Sequence, residues 1–250
     1  MTSALETRGL RKSFGAMVVT SGVDFRLAPG ARHALIGPNG AGKTTFINLI
    51  TGRLTPSAGS IHLAGEDVTA LPQSARVKRG LGRTFQINTL FSNLTVLENV
   101  TMAVSERLGR GGDKFRFAGS RRDIVEEAYE LLIRLRLAED ALRPVREIAY
   151  GRQRLVEMAI ALGLKPRVLL LDEPAAGVPS AETAVILEVM EALPADMAVL
   201  IIEHDMDLVL RFAKTITVLV RGAVLTEGAP AEILADPRVR EIYLGEGHHG

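Results

Sequence analysis

The 250-residue chain is long enough for one large domain or two small ones around a sizeable core. It is 47% hydrophobic and 24% charged with a formal net charge of +1, an ordinary globular composition without the basic block expected of a nucleic-acid binder. The absence of cysteine excludes disulfides, thiolate catalysis and cysteine-ligated metals.

Met1 to Arg8 lacks the apolar core of a signal peptide. The most apolar runs, Val168 to Leu171 and Met197 to Ile202, fall far short of the ~20 residues that a membrane span needs. The expectation is a cytoplasmic chain that reaches a membrane only by docking to another protein. No internal repeat or long low-complexity segment is present.

Leu5 to Leu27 reads as strands around a turn at Phe14-Gly15. Aromatics are scarce, at 4%, and Phe14 falls in what should be an exposed turn. Two readings stand: a ring that stacks on a nucleobase, or a partly buried turn aromatic.

Ala34-Leu35-Ile36 reads as a short buried strand, and Phe46 to Ile50 as a helix stopped by Gly52. Between them lies Gly37-Pro38-Asn39-Gly40-Ala41-Gly42-Lys43-Thr44-Thr45, a complete G-x-x-x-x-G-K-[ST] pattern in its required strand–loop–helix context. Backbone N–H groups and a helix N-terminus form a cradle for anionic phosphates there. Lys43 is placed to reach the β/γ-phosphates and the Thr44 hydroxyl to ligate Mg²⁺. The motif reads as a nucleoside triphosphate site.

Ile61 to Gly65 is an alternating strand, and Gly80 to Gln86 a strand ending in a polar residue. Thr95-Val96-Leu97-Glu98 carries the capping-box pattern that opens a helix. Gly109 to Lys114 reads as a mobile, solvated loop, with contact to anionic lipid headgroups as the alternative. Ile124, Ala128, Leu131, Leu132 and Leu135 then recur at helical spacing. The middle of the chain is therefore a helical insertion into an α/β pattern that resumes at Arg167.

Val168 to Leu171 followed by Asp172-Glu173 reads as a strand buried in a parallel sheet, with two carboxylates at its C-terminal end. Ligand sites in such sheets lie at the carboxyl ends of the strands. Asp172 would complete the Mg²⁺ shell opposite Thr44, and Glu173 would orient or deprotonate an attacking water. Met197 to Ile202 is a second apolar strand ending at Glu203-His204-Asp205, where His204 is placed to hydrogen-bond a γ-phosphate. A strand pair across Arg221-Gly222 and short helical segments to Leu244 complete the chain.

Taken together, these motifs resemble the ATPase subunit of an ATP-binding-cassette (ABC) transporter over essentially the whole chain. Gly37 to Thr45 matches the family's Walker A loop, and Val168 to Asp172 its Walker B strand, with Glu173 after it. The Q-loop glutamine falls on Gln86, a further Mg²⁺ contact, and the switch histidine on His204. The adenine-stacking aromatic falls on Phe14. The signature usually written LSGGQ aligns with Ile148-Ala149-Tyr150-Gly151-Arg152, so Ala149, Tyr150, Gly151 and Arg152 would contact the nucleotide held by a partner subunit.

The resemblance implies a phosphate-loop NTPase α/β fold. It has a mostly parallel sheet, an N-terminal antiparallel β subdomain and an inserted α-helical subdomain at about 88–163, between core segments 1–87 and 164–250. It also implies ATP and Mg²⁺ as cofactors, with ATP hydrolysis by Glu173, His204 and Gln86.

Three positions depart from the family pattern. Ala149 replaces the signature serine, losing a charged hydrogen bond of ~1.5–3 kcal/mol and so weakening trans binding. Arg152 replaces glutamine and restores positive charge nearby. Pro179 stands where the loop after Walker B usually has aspartate.

Gly82 to Gln86, Ala149-Tyr150-Gly151, Asp172 to Gly177, Glu203 to Met206 and Asp236-Pro237-Arg238 to Gly245 are similar to branched-chain amino acid importers. That branch implies a second ATPase subunit, two transmembrane permease subunits and, indirectly, a periplasmic solute-binding protein, with no nucleic-acid partner. The chain would then sit on the cytoplasmic face of the inner membrane. The alternatives are a nucleotide-dependent regulatory clamp with little hydrolysis, a nucleic-acid or translation cassette, and the ATPase of a lipopolysaccharide exporter.

Overall fold

The computed structural model describes residues 2–84, 90–109 and 122–245. It opens with two long antiparallel strands, β1 (Leu5–Phe14) and β2 (Met17–Leu27). Then come β3 (Arg32–Ile36), α1 (Lys43–Thr51), β4 (Ala58–Leu63), β5 (Glu66–Asp67), α2 (Gln73–Lys78) and β6 (Leu81–Arg83). Three helices follow: α3 (Val96–Arg107), α4 (Arg122–Arg134) and α5 (Tyr150–Gly163). The chain then alternates through β7 (Val168–Asp172), α6 (Ser180–Glu191), β8 (Ala198–Ile202), α7 (Met206–Phe212) and β9 (Thr215–Val220). It closes with β10 (Ala223–Gly228), α8 (Pro230–Ala235) and α9 (Pro237–Gly245).

Two sheets result. One is antiparallel, in the order β2-β1-β4-β5, and the other has the order β10-β9-β3-β8-β7-β6. All pairs of the second sheet are parallel except the β9–β10 hairpin. The mostly parallel sheet and the N-terminal antiparallel sheet are as expected from the sequence.

The period of two along each strand divides the core. Leu35, Leu170, Leu200 and Ile202 face one way, where they meet Phe46, Ile47, Leu49 and Ile50 of α1. Behind α1 stand Leu5, Leu10, Phe25, Ile61 and Leu63 of the antiparallel sheet, so that helix is packed between the two sheets. Ala34, Ile36, Leu169, Leu171, Val199 and Ile201 face the other way, against the helices α3 to α7.

Two local devices fix the ends of key helices. Thr95 caps α3 as its sequence predicts: Glu98 N–H donates to Thr95 Oγ1 at 3.1 Å, and Thr95 N–H donates to Glu98 Oε2 at 2.7 Å. The C-terminal end of α1 is held differently. Arg76, 1% exposed, donates to the carbonyls of Leu49 and Ile50 at 2.7 Å each, and also to Leu71 and Thr69. That guanidinium sits at the negative end of the helix dipole, where a cation is favoured. No helix among the described residues is long and apolar enough to cross a membrane.

Candidate functional site

The carboxyl ends of β3, β7 and β8 carry the loops that hold the candidate residues. Gly37 to Gly42 bridges β3 and α1, whose first helical residue is Lys43. The loop folds tightly because Gly42 adopts a left-handed φ of +99°, and a Cβ there would lie 2.8 Å from Val19 O. No side chain caps α1, so its first turn presents backbone amides rather than filling them. Lys43 Nζ donates to Gly37 O at 2.5 Å and Pro38 O at 3.0 Å, folding its ammonium back over the loop. Thr44 is exposed in the same turn. An uncapped helix start, a close-packed glycine loop and an ammonium over it fit a polyphosphate.

Val19 belongs to the hairpin that ends in Phe14. Phe14 pairs with Met17 across the tip and is 46% exposed, with Lys12 Nζ 5.1 Å from its ring centroid. Gly222 N–H donates to Ala41 O at 2.9 Å and Ser21 N–H to Gly222 O at 2.8 Å, tying the hairpin, the phosphate loop and the β9–β10 turn together. The ring therefore stands on a hairpin anchored to the loop, open to solvent rather than buried.

Asp172 ends β7 half-buried, and its Oδ2 accepts a hydrogen bond from Arg83 Nη2 at 2.7 Å. Glu173 follows in the left-handed region at φ +48°, a conformation costly for a residue with a side chain. Its N–H donates to Ile202 O at 2.9 Å, so the neighbouring strand end holds the strained residue in place. His204 leaves the end of β8 with a 68% exposed side chain, and its Nδ1 lies 3.9 Å from Glu173 Oε1. The fold thus brings together two residues 31 positions apart in sequence by pairing β7 with β8.

Glu203, 2% exposed, was not singled out by the sequence. Its Oε1 accepts from Ala175 N–H and its Oε2 from His204 N–H, at 3.2 Å each. Burial pushes this carboxyl upward, against the pull of those amides. It fastens the loop after Glu173 to the start of His204. The only sequence signal was an acid directly after an apolar strand. Among the described residues no cluster of three or more metal-ligating side chains exists. A hydroxyl and one carboxylate suit Mg²⁺ completed by phosphate oxygens and water. Gln86 lies outside the described residues, as do 110–121 in the glycine- and arginine-rich stretch.

The signature residues begin α5. Ala149 is its N-cap and makes no side-chain hydrogen bond; it is exposed, as is Tyr150. Gly151 is buried, and a Cβ at that position would collide with the Glu182 carboxylate and lie 3.0 Å from Val178 Cγ1. Tyr150 is held by Arg154, whose Nη2 donates to the phenol oxygen at 3.1 Å and whose guanidinium lies 5.3 Å from the ring centroid. Arg154 Nη1 in turn donates to Glu157 Oε2 at 3.1 Å. Glu157 is 4% exposed, and burial, outweighing Arg154, pushes its carboxyl up to about 7.

Arg152 does not present the free positive charge that its sequence position suggested. Its Nε donates to the buried Asp140 and its Nη2 to Arg136 O at 2.8 Å. Asp140 also takes Arg143, so one carboxylate is shared by two guanidiniums: Arg152 is tied down, but a positive charge remains in this segment.

A family model described as "ABC transporter" matches residues 20–176, and one described as "Branched-chain amino acid ATP-binding cassette transporter" matches residues 223–249. The chain is 38% identical over 249 residues to the high-affinity branched-chain amino acid transport ATP-binding protein BraF of Pseudomonas aeruginosa, covering 97% of this chain and 98% of that protein. It is 36% identical over 249 residues to the lipopolysaccharide export system ATP-binding protein LptB of Acidithiobacillus ferridurans, covering 98% of each. Among solved structures, the ADP conformation of an ATP-binding cassette of an ABC transporter superposes with a TM-score of 0.86 at 31% identity. That match covers 98% of this chain and 100% of the other.

Proposed function

The chain belongs to the ABC transporter family, and we propose that it is the ATP-hydrolysing subunit of an importer for branched-chain amino acids or related small solutes. The observation that carries hydrolysis is the pairing of Glu173 with His204 at the strand ends beside Asp172 and the phosphate loop. The importer reading rests on the match of residues 223–249 to the branched-chain amino acid transporter model. The two relatives differ by only two points of identity, 38% against 36%, and so do not separate import from lipopolysaccharide export by themselves.

In this reading the nucleotide-binding core takes residues 1–87 and 164–250, and the helical subdomain 88–163. Gly37 to Thr45 wrap the phosphates, and Phe14 stacks on the adenine. Thr44, Asp172 and Gln86 would hold Mg²⁺, which would neutralise charge on the phosphate oxygens. Glu173 accepts a proton from the attacking water, and His204 hydrogen-bonds the terminal phosphate, the 3.9 Å approach keeping both groups on one reacting centre. Ala149, Tyr150, Gly151 and Arg152 face the nucleotide of a second cassette, so that two chains close over two ATP molecules. Closure drives two transmembrane permease subunits, and the chain sits at the inner face of the membrane through them. A solute-binding protein delivers the cargo.

The test is an affinity pull-down from native membranes, followed by mass spectrometry and an ATPase assay on the recovered assembly. Two multi-span subunits, a second cassette and ATP turnover stimulated by a solute-binding protein are expected. Recovery of lipopolysaccharide-export components, or of ribosomes or nucleic acid, overturns the importer reading. A recovered assembly that binds ATP without turnover favours the regulatory clamp, a reading that the Ala149 and Pro179 departures motivate.

A further inference from the structure

We propose that Arg83 is a positioning residue for the metal site, holding the Asp172 carboxylate in its metal-facing orientation and fastening it to the helix that carries Lys43 and Thr44. This rests on the reading of Asp172 and Thr44 as Mg²⁺ ligands. Arg83 ends β6, where it pairs with Leu170 of the neighbouring β7, two residues before Asp172. Its side chain runs along the sheet end almost fully covered, at 9% exposure, with Asp172 at 21%.

The guanidinium uses two arms on two different elements. Nη2 donates to Asp172 Oδ2 at 2.7 Å, and Nη1 donates to Asn48 Oδ1 at 2.9 Å. Asn48 lies on α1, five residues after Lys43. One planar group therefore bridges the strand bearing the acidic ligand and the helix whose first turn bears the phosphate-binding lysine and the hydroxyl ligand. A planar fork with fixed donor directions locks both partners at once, which a lysine, as a single-point cation, does not.

This arrangement does two things to the carboxylate. It commits Oδ2 to the protein, so that metal-facing work falls to Oδ1. It also removes the rotational freedom that Asp172 would otherwise lose when the metal arrives. Partners of this kind, one shell out from a metal, typically contribute 10- to 100-fold in metal affinity. The positive charge of Arg83 opposes a second cation nearby, so the two effects have opposite signs, and the proposed role requires orientation to be the larger.

The experiment measures metal and nucleotide separately on the purified full chain. ATP affinity is read in EDTA, and Mn²⁺ binding to the ATP-loaded protein by electron paramagnetic resonance. Arg83→Ala is expected to raise the half-saturating Mn²⁺ concentration at least about tenfold, with ATP affinity in EDTA unchanged within about twofold and Arg83→Lys restoring only part of the loss. Asn48→Ala, which removes only the second arm, is expected to raise it several-fold and serves if Arg83→Ala fails to fold.

An unchanged Mn²⁺ half-saturation in folded Arg83→Ala or in Asn48→Ala overturns the proposal. A parallel loss of ATP affinity in EDTA also overturns it, because it would make Arg83 a general support of the loop. Failure of the parent chain to bind ATP at all is a distinct outcome and overturns the nucleotide reading itself, and this proposal with it.

Discussion

Glu173 Oε1 and His204 Nδ1 lie 3.9 Å apart because β7 and β8 end in register, with Asp172 opposite Ile202. Both side chains are open, at 49% and 68% exposure, so the pair is reachable from solvent at the strand ends. An acid in a strained backbone beside an exposed imidazole is the arrangement that the proposed proton-handling role of this pair requires.

Replacing Glu173 by Gln keeps its size and removes its basicity. Steady-state ATP turnover by the assembled transporter is expected to fall ~10²–10⁴-fold. Nucleotide affinity, measured with a fluorescent ATP analogue, is expected to stay within about threefold, since a group used only in the reacting state adds little to ground-state binding. Undiminished turnover would remove Glu173 from the chemistry.

Glu203 supports that pair from below. Glu203→Gln replaces one amide-accepting oxygen with a donor facing a donor, in a site 2% exposed. A loss of about 1–3 kcal/mol in urea denaturation is expected. Turnover should drop more than nucleotide affinity, because the loop after Glu173 and the start of His204 both lose their anchor. Equal losses in both would make Glu203 a purely structural residue.

The buried Glu157 makes stability pH-dependent with a definite sign. Its carboxyl titrates near about 7 in the fold against 4.5 as a free group, so the folded state holds the proton longer than the unfolded one. Stability from this group is complete below about pH 4.5 and is lost as pH rises through about 7, by on the order of 3 kcal/mol. Glu157→Gln stays neutral, so its stability relative to the parent is expected to climb across that window and level off above it. Parallel curves for the two proteins from pH 5 to 8 would contradict this origin of the slope.

Much of the fold was legible because its signals are local. The Thr95/Glu98 pair, four residues long, specifies a cap that forms as written, and the spacing of Ile124, Ala128 and Leu132 marks the buried face of α4. The helix α6 was less readable, since Val185-Ile186-Leu187 is a contiguous apolar run that fits a strand as well as a helix.

In the candidate site, motif residues announce themselves, but their supports do not. Arg83 and Asp172 are 89 residues apart, and Glu203 is 28 residues from Ala175. No periodicity connects such pairs. The engagement of Arg152 by Asp140 was hidden for the same reason: whether a charge is free depends on a partner that only folding supplies.

Gly151 offers a test in which the sign reverses. Within a helix Gly→Ala is ordinarily favourable, by up to about 1 kcal/mol in the interior and less in the first turn, where Gly151 sits. Here the added methyl would run into the Glu182 carboxylate and meet Val178, so Gly151→Ala alone is expected to lower the melting temperature. In a Glu182→Ala background the carboxylate clash is gone while the contacts with Val178 Cγ1 at 3.0 Å and the Cβ of residue 182 at 3.1 Å remain, so the same change is expected to cost less than it does alone. The double-mutant cycle should then give a coupling of about 1–2 kcal/mol. Simple additivity would show that α5 and α6 do not meet at this point.

The Tyr150 ring also rests near the loop after Glu173, where a side chain on Gly177 would come within 3.5 Å of it. In the proposed pairing, the surface offered to another cassette is thus continuous with the peptide carrying the chain's own Glu173. Were two such chains to pair as proposed, filling one pocket would stiffen the loop of the other, and the two pockets would turn over in step. A steep, sigmoidal dependence of turnover on ATP concentration is the behaviour such an arrangement would produce, and single occupancy would leave both chains idling.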